Sequence, residues 1–390
     1  MKPRVLFVHA SAALYGSDKV LLNLVQGFAA SGEWEPLVLL HVDGPLRAAI
    51  VASGVEVHVV PLAKISRSMF GWTAPLALWR ELRRAGQAID VALAGRAVHL
   101  VYSNTLAVLG GACWARRQGC PHLWHVHEII LKPALVRWGL PRLVQVLSQR
   151  VISNSSQTQA WLLQHAPRLA GRCSVVHNGI TPMASATPAQ VAAFRAAVGA
   201  GPDELVVTLA GRLSHWKGQG LLIEAAALLR QQGRARQLRF AIVGDGVPGQ
   251  EAVRLGLLDQ VRRLGLSDCV QLLPFTSAID TVWRGSDVAV VPSTEPEPFG
   301  LVAIEAMACA VPVVAAGHGG LLDIIEPERS GLLFEPRSVT ALADALARLA
   351  DSASLRARLG AAGAARQATH FTVQAQVAQT QALCLQMLRA

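Results

Sequence analysis

The chain is predicted to be an α/β protein of two doubly wound, Rossmann-like domains facing a cleft. Three observations carry this. Short, continuously apolar runs rich in Val and Leu alternate with amphipathic stretches along the chain, as a parallel sheet covered on both faces requires. Around residues 180–203 the alternation lapses into ITPMASATPAQVAAFRAAVGAGPD, which reads as a linker. Conspicuous polar residues (Gly16, Asn104, His127, Asn154, Asn178, Arg212, Lys217, Glu297) fall just after the apolar runs, where open α/β sheets bind ligands.

In the first half the strand-like runs are RVLFVHA, EPLVLLHV, VEVHVVPL, HLVYSN, PHLWHVHE and RVISNSS. In the second they are ELVVTLAG, RFAIVGDG, VQLLPF, DVAVVPS and VPVVAAG. The domains are placed at 1–182 and 183–370. A C-terminal helix over 371–390 is expected to pack back on the first domain, within an Ala-, Arg- and Gln-rich stretch from 352. The apolar run at the N-terminus, Val5 to Val8, suits a first strand better than a signal peptide. Ala97 to Ala115 is uncharged over nearly a transmembrane length, but His99, Ser103, Asn104, Thr105, Gly110 and Gly111 make it strand, loop and helix. The six cysteines form no C-x-x-C pair, which argues against a disulfide framework or a zinc site.

Charge divides the chain. Residues 1–185 hold 4 Lys and 14 Arg against 8 acids, a net +10, and the remainder is neutral. The first half therefore faces something anionic: nucleic acid, phospholipid or a phosphorylated substrate. Two stretches there, SRSMFGWTAPLALWRELRR (66–84) and KPALVRWGLPRLVQVLSQR (132–150), combine arginines with Trp and Leu. Such segments can lie on an anionic membrane or pack on the sheet with solvated arginines.

Several motifs bear on chemistry. In LAGRLSHWKGQG, Arg212 and Lys217 flank a loop between strand and helix, a natural diphosphate site or an ordinary pair of surface cations. VGDGVPGQ matches G-x-G-x-x-G through Gly244, Gly246 and Gly249, but Pro248 interrupts the helix start. A turn that lets backbone approach a ligand fits better than an NAD site. WHVHEII puts His125 and His127 on one strand face, without a second cluster to complete a metal site. In HASAALYGSDK, Gly16 is expected to precede the first helix, with Ser17 or Asp18 as N-cap. EPEPFGLVAIEAMA sets Glu297 and Glu305 eight positions apart around a Pro-Phe-Gly turn. The plain reading is a solvated helix start with both carboxylates exposed.

Taken in order, AGRLSHWKG, VGDG, SDVAVVPS, EPFGLVAIEAMACAVPVVAAGHGG and SGLLF resemble the GT-B glycosyltransferases, and most of all the retaining glycosyltransferase family 4. By that resemblance residues 1–182 form the acceptor-binding domain and 183–370 the nucleotide-sugar-binding domain, and Glu297 and Glu305 match the E-x7-E pattern. Glu297 is implied to contact the donor sugar's hydroxyls and Glu305 the nucleotide ribose, with the Phe299, Gly300 and Leu301 amides on sugar and phosphates. Arg212 and Lys217 take the diphosphate positions, and Gly16 matches the glycine loop over the phosphates. His127 matches a histidine near the donor sugar, and His125 does not. The implied reaction is retaining hexosyl transfer without a metal or further cofactor. The donor is a UDP- or GDP-sugar, and His127 and Glu297 serve as positioning and electrostatic groups. The chain departs from the pattern at Pro274, Thr181 and Asp323.

The acceptor is expected to be a lipid-linked or membrane-held glycan in polysaccharide or lipopolysaccharide assembly. The protein is then placed in the cytoplasm, peripheral on the inner leaflet of the cytoplasmic membrane. Three alternatives compete. A glycosidase would use Glu297 and Glu305 as its acid and nucleophile but leaves Arg212, Lys217 and Gly16 idle. A nucleotide-sugar epimerase could share the scaffold. A nucleic-acid-binding protein could use the basic half, but no helix-turn-helix, RNP-like or zinc pattern supports it, so nucleic acid is not an expected partner.

Overall fold

Strand β1 (Arg4–His9) shows the pattern that recurs through the chain. Val5 to Val8 are all fully buried. Leu6 and Val8 join a cluster with Leu37, Ile89, Val101 and Trp114, whereas Phe7 meets Phe28 edge-on at 5.3 Å and Tyr102 at 5.0 Å. A strand apolar on both faces at a period of two needs a helix layer on each side. The structure is a computed structural model and describes residues 2–65, 74–234, 237–246 and 251–389. Met69, Phe70, Trp72, Pro248 and Gly249 lie outside the described residues.

The chain divides into two compact units, Met1–Gly179 with Val373–Ala390, and Ile180–Thr372. In the first, β1 is joined by β2 (Glu35–Leu40), β3 (Glu56–Val59), β4 (Leu100–Ser103), β5 (His122–Val126), β6 (Arg150–Ser153) and β7 (Cys173–Val175). All pairings are parallel, in the order β3-β2-β1-β4-β5-β6-β7, with Leu6 opposite Leu37 on one side and Val101 on the other. The crossovers are α1 (Gly16–Ala30), α2 (Pro45–Ala52), α3 (Ala74–Leu93), α4 (Gly110–Gln118), α5 (Ala134–Leu147) and α6 (Ser156–His165).

The second unit repeats the plan. Strands β8 (Leu205–Ala210), β9 (Leu238–Val243), β10 (Val270–Leu273), β11 (Val288–Val291), β12 (Val313–Ala316) and β13 (Leu332–Phe334) run parallel in the order β10-β9-β8-β11-β12-β13. Its helices are α7 (Pro188–Val198), α8 (Gln219–Gln231), α9 (Glu251–Arg263), α10 (Ile279–Arg284), α11 (Leu301–Ala308), α12 (Leu321–Ile324), α13 (Val339–Asp351) and α14 (Ala353–His370). Val207 and Leu209 of β8 face a core with α8 and α13, while Val206 and Ala210 face Ala303, Ile304 and Met307 of α11. Both sheets are thus doubly wound.

Three features differ from the sequence reading. β7 and β13 appear as additional strands of three residues each, at the outer edge of their sheets. The stretch from 352 forms two helices, because the chain breaks at Phe371 and Thr372 before α15 (Val373–Arg389). α15 packs on α1 within the first unit, and Gly27 lets it approach: a Cβ there would lie 2.5 Å from Val377 Cγ2. Among the described residues no helix is long and apolar enough to cross a membrane.

β5 carries two histidines that are wholly enclosed. His122 lies between Ser103 Oγ (2.9 Å) and Leu147 O (3.0 Å), and His125 Nδ1 meets the Tyr102 hydroxyl at 2.7 Å. Burial disfavours their charged forms, lowering His122 from 6.5 to about 4 and His125 to about 3. Between pH 6.5 and about 4 the unfolded chain therefore binds more protons than the folded one. Stability must fall as pH is lowered through that window, by up to about 1.4 kcal/mol per pH unit for each histidine. Glu128, whose carboxyl burial pushes above its ordinary 4.5, works in the opposite sense within the same window. Urea unfolding of the first unit is expected to be easier at pH 5 than at pH 7. His125→Phe should take one histidine's share out of that difference, and a pH dependence identical in this variant would contradict the assignment.

Candidate functional site

In the Ile180–Thr372 unit, polar residues collect at the carboxyl ends of β8, β11 and β12. The loop after β8 begins at Gly211 and packs against Gly244 after β9, where a Cβ would lie 2.1 Å from Gly211 O. Gly244 therefore serves loop-on-loop packing. The loop runs through Arg212, which is exposed, to Lys217, and Gly218 (φ +78°) leads into α8. A Cβ on Gly218 would lie 1.9 Å from Pro292 O, so glycine is what lets this helix start reach the end of β11.

That approach places Lys217 Nζ on both oxygens of Glu297, at 2.7 and 2.9 Å, and 4.4 Å from the centroid of the Trp216 ring. Ser293 Oγ donates to Glu297 Oε2 at 2.8 Å. His318 Nε2 donates to Ser293 O at 2.7 Å. Burial keeps this imidazole below its ordinary value, although the Ser293 carbonyl and Glu297 favour its proton. Gly320 N donates to Glu297 O at 2.7 Å, and a Cβ on Gly319 would collide with that oxygen at 2.2 Å. Gly300 (φ +115°) then caps α11, with Leu301 as the first helical residue. Phe299 buries its ring against Phe371, 6.0 Å between centroids, so its backbone is what the loop can offer a ligand. Glu297 and Glu305 are each 6% exposed, which overturns the reading of a solvated helix start.

In the other unit, Gly16 is exposed and opens α1 instead of preceding it. A Cβ on Gly16 meets nothing within 4 Å, so no packing in the described structure requires glycine there. The N-cap is Tyr15, not Ser17 or Asp18. Asp18 instead turns inward, 2.7 Å from His9 Nε2, and accepts from Ser11 Oγ (3.0 Å), Ala13 N (2.8 Å) and Tyr15 N (3.4 Å). Burial alone would raise its pKa, but the His9 and Ser11 hydrogen bonds and the Ala13 amide hold it below the usual carboxylate value.

His127 follows β5 and is buried, with Nε2 3.0 Å from Asn104 Oδ1. Burial, then His125 and His9, keeps its pKa well below 6.5, so the ring is neutral near pH 7. Its amide donates to Glu128 Oε2 at 3.0 Å, and Glu128 also takes the Thr105 hydroxyl and the Leu106 amide.

The predicted residues thus fall into two groups. Lys217 and Glu297 are brought into direct contact in one unit, which also holds Arg212, Phe299, Gly300, Leu301 and Glu305. Gly16 and His127 belong to the other. Sequence reasoning missed Ser293, His318, Gly218, Gly319 and the His9–Asp18 pair. The ends of SDVAVVPS and AAGHGG carried the signal for Ser293 and His318, but neither residue type is distinctive alone. Among the described residues no group of three or more His, Cys, Asp or Glu could hold a metal ion.

Two family models match the chain in tandem: Glycosyltransferase Family 4 over residues 15–183, and Glycosyl transferases group 1 over residues 190–366. The D-inositol 3-phosphate glycosyltransferase of Pseudarthrobacter chlorophenolicus is 37% identical over 219 residues, 56% of this chain and 51% of that protein. Its namesake from Stackebrandtia nassauensis is 36% identical over 281 residues, 67% of this chain and 62% of that protein. The chain spans about half the length of the curated relatives it matches. Anabaena HepE, crystallised with UDP and glucose, is 27% identical with a TM-score of 0.81, covering 97% of this chain and 98% of that one. Other HepE crystals hold UDP or UDP-glucose. With both halves matched in sequence and the whole chain matched in fold, the chain belongs to the GT-B glycosyltransferases of family 4.

Proposed function

We propose that this protein is a retaining, metal-independent hexosyltransferase that moves a sugar from a UDP-sugar to a hydroxyl acceptor. The observation that carries the proposal is the Lys217–Glu297 pair, a mobile cation resting on a buried carboxylate at the carboxyl edge of a parallel sheet. An arriving diphosphate competes for Lys217 and releases Glu297 to accept from sugar hydroxyls. The pair is thus poised for both ends of a sugar–phosphate bond. Arg212, on the same loop, adds a second cation to the leaving diphosphate. As the bond loosens, the departing phosphate takes the acceptor's proton and the acceptor enters on the same face, which retains configuration. The UDP and UDP-glucose in HepE crystals favour UDP over GDP.

The acceptor we infer is a lipid-linked or membrane-held glycan in polysaccharide or lipopolysaccharide assembly, with the protein peripheral on the inner leaflet of the cytoplasmic membrane. Exposed apolar side chains with cations beside them support this. On α3, Trp79 is 53% exposed, with the Arg83 guanidinium 4.8 Å from its ring centroid and exposed Arg80 and Arg84 nearby. On α5, Leu135 and Trp138 are exposed and Arg142 lies 5.1 Å from the Trp138 ring centroid. A second reading, transfer to a phosphorylated polyol, is favoured by the D-inositol 3-phosphate named for the relatives. The same basic unit would attract it.

The donor reading is tested by two substitutions at different ends of the nucleotide-sugar. Glu305→Gln is expected to weaken UDP binding in thermal-shift titrations. Glu297→Gln is expected to keep UDP affinity and lower turnover, by about 10²–10³-fold if it removes one charge-stabilising contact. EDTA should leave transfer intact. Wild-type donor kinetics in both variants would remove the E-x7-E pair from the site.

The membrane reading is tested by sedimentation with vesicles. Binding is expected with phosphatidylserine vesicles and not with phosphatidylcholine alone. It should fall between low and high salt and weaken in an Arg80/Arg83/Arg84→Gln variant, since each well-placed cation is worth about 1 kcal/mol. Protein left in the supernatant at low salt, together with turnover of D-inositol 3-phosphate, would establish the soluble reading instead.

A further inference from the structure

The first unit carries a pocket of about 260 Å³ at the edge of the sheet where β5 and β6 begin, opposite the carboxyl edge that holds His9 and His127. Its walls come from Arg116 at the end of α4, Val146 and Ser148 at the end of α5, Gln149, and Arg172 before β7. Among the described residues no carboxylate lines it. Arg116 Nη1 donates to Val146 O at 3.2 Å. Arg172 donates to Ser148 O at 3.0 Å, and to Gln145 O and Arg168 O at 3.2 Å each. The two guanidinium groups close the carbonyl end of α5, where the helix dipole favours cations. That role takes a single N–H of Arg116. The neighbouring Arg117, by contrast, is drawn off to Asp90 at 2.6 Å. Gln149 Oε1 accepts from the His122 amide at 2.7 Å, which leaves the Gln149 NH2 group as a further donor. Cations and donors without a carboxylate suit an anion.

Val146 indicates what brings the anion. It is 58% exposed, it lines the pocket, and it ends a stripe along α5 made by Leu135, Trp138, Arg142 and Val146. Spacings of three, four and four residues put all of these on one face of the helix, over about 16 Å. The other face of α5, with Leu140, Leu143, Val144 and Leu147, is packed in the core. A free phosphate has no use for an apolar approach, whereas a lipid presents acyl chains beside its phosphate. We propose that the pocket between the ends of α4 and α5 is a headgroup site for one anionic glycerophospholipid, with the α5 stripe lying in the membrane interface beside it. The proposal rests on the membrane reading above and adds a site of defined stoichiometry to it. General attraction to a basic surface is shared among all its cations, whereas this pocket assigns the lipid phosphate to Arg116, Arg172 and Gln149.

The test uses the whole protein and dihexanoyl-phosphatidylglycerol, a lipid short enough to be titrated as a monomer, with binding read by calorimetry. One molecule is expected to bind per chain. Arg116→Gln should weaken it about 10-fold, the scale of one charged hydrogen bond. Arg117→Gln removes the same charge one residue away and outside the pocket, and should change the affinity by less than about 3-fold. Both arginines are exposed, so either variant should fold, and thermal unfolding checks this. Leu135→Glu, at the far end of the stripe, should reduce sedimentation with phosphatidylglycerol vesicles and leave binding of the short-chain lipid unchanged. Equal losses in Arg116→Gln and Arg117→Gln would mean diffuse attraction and overturn the pocket. Inorganic phosphate binding as tightly as the short-chain lipid would make this a site for a soluble anion and overturn the lipid. Sedimentation with anionic vesicles but no binding of the short-chain lipid overturns the pocket and leaves the membrane reading standing. Binding of the short-chain lipid through Arg116, by a protein that stays in the supernatant at low salt, keeps the headgroup site and sinks the membrane reading.

Discussion

A parallel strand cannot be joined to its neighbour by a tight turn, so each is followed by a crossover, and every strand-to-helix loop emerges on one edge of the sheet. The polar chemistry of this protein depends on that constraint. It bites hardest where the strand order reverses, because there two adjacent loops leave in opposite directions and open a crevice. In the first unit the reversal lies between β1 and β4, and the loops at that point bring His9 and Asp18 against Asn104. In the second it lies between β8 and β11, and the loops there bring Lys217 against Glu297 and Ser293. The same topological position is used twice, with different chemistry.

Holding such groups inside a protein is costly, which bears on why they are there. A desolvated ion pair seldom stabilises a fold more than apolar side chains of the same volume, although removing one partner costs about 3–5 kcal/mol. The Lys217–Glu297 pair is mostly enclosed and depends on two backbone approaches that admit only glycine, at Gly218 and Gly319. His122, His125 and His127 are kept neutral by burial at a cost that grows as the medium acidifies. None of these arrangements is the economical way to fill a core. Their cost is intelligible if the groups meet a ligand.

Much of the fold was legible because a doubly covered parallel strand writes an unmistakable run, such as RVLFVHA or DVAVVPS. β7 and β13 escaped because a three-residue edge strand is too short for a pattern. Single residues were harder to place. Asp18 has the composition of an N-cap and sits at a helix start, but the buried imidazole of His9 outcompeted the helix amides for its carboxylate. Gly244 reads as the first glycine of a G-x-G-x-x-G turn, and the backbone it admits is that of Gly211. The spacing of Glu297 and Glu305 was legible, while the burial of Glu297 was not, because it involves Gly319 and Gly320, 22 and 23 positions further on, folding back over it.

The two units differ in how their polar groups are charged, and this separates what each can recognise. The second unit presents ions, Lys217 on Glu297 with Arg212 on the same loop, and ions are what a diphosphate requires. The first unit carries the net positive charge of the chain, yet it lines the carboxyl edge of β1, β4 and β5 with directed hydrogen-bonding groups, and the carboxylates of Asp18 and Glu128 beside them are engaged by His9, Thr105 and loop amides. Its arginines are spent elsewhere, on the outer surfaces of α3 and α5. A neutral lining discriminates by hydrogen-bond direction, since a misdirected donor or acceptor is left unpaired at a cost of about 1–3 kcal/mol. Hydroxyl stereochemistry, which distinguishes one hexose from another without altering charge, is a property that is read by hydrogen-bond direction.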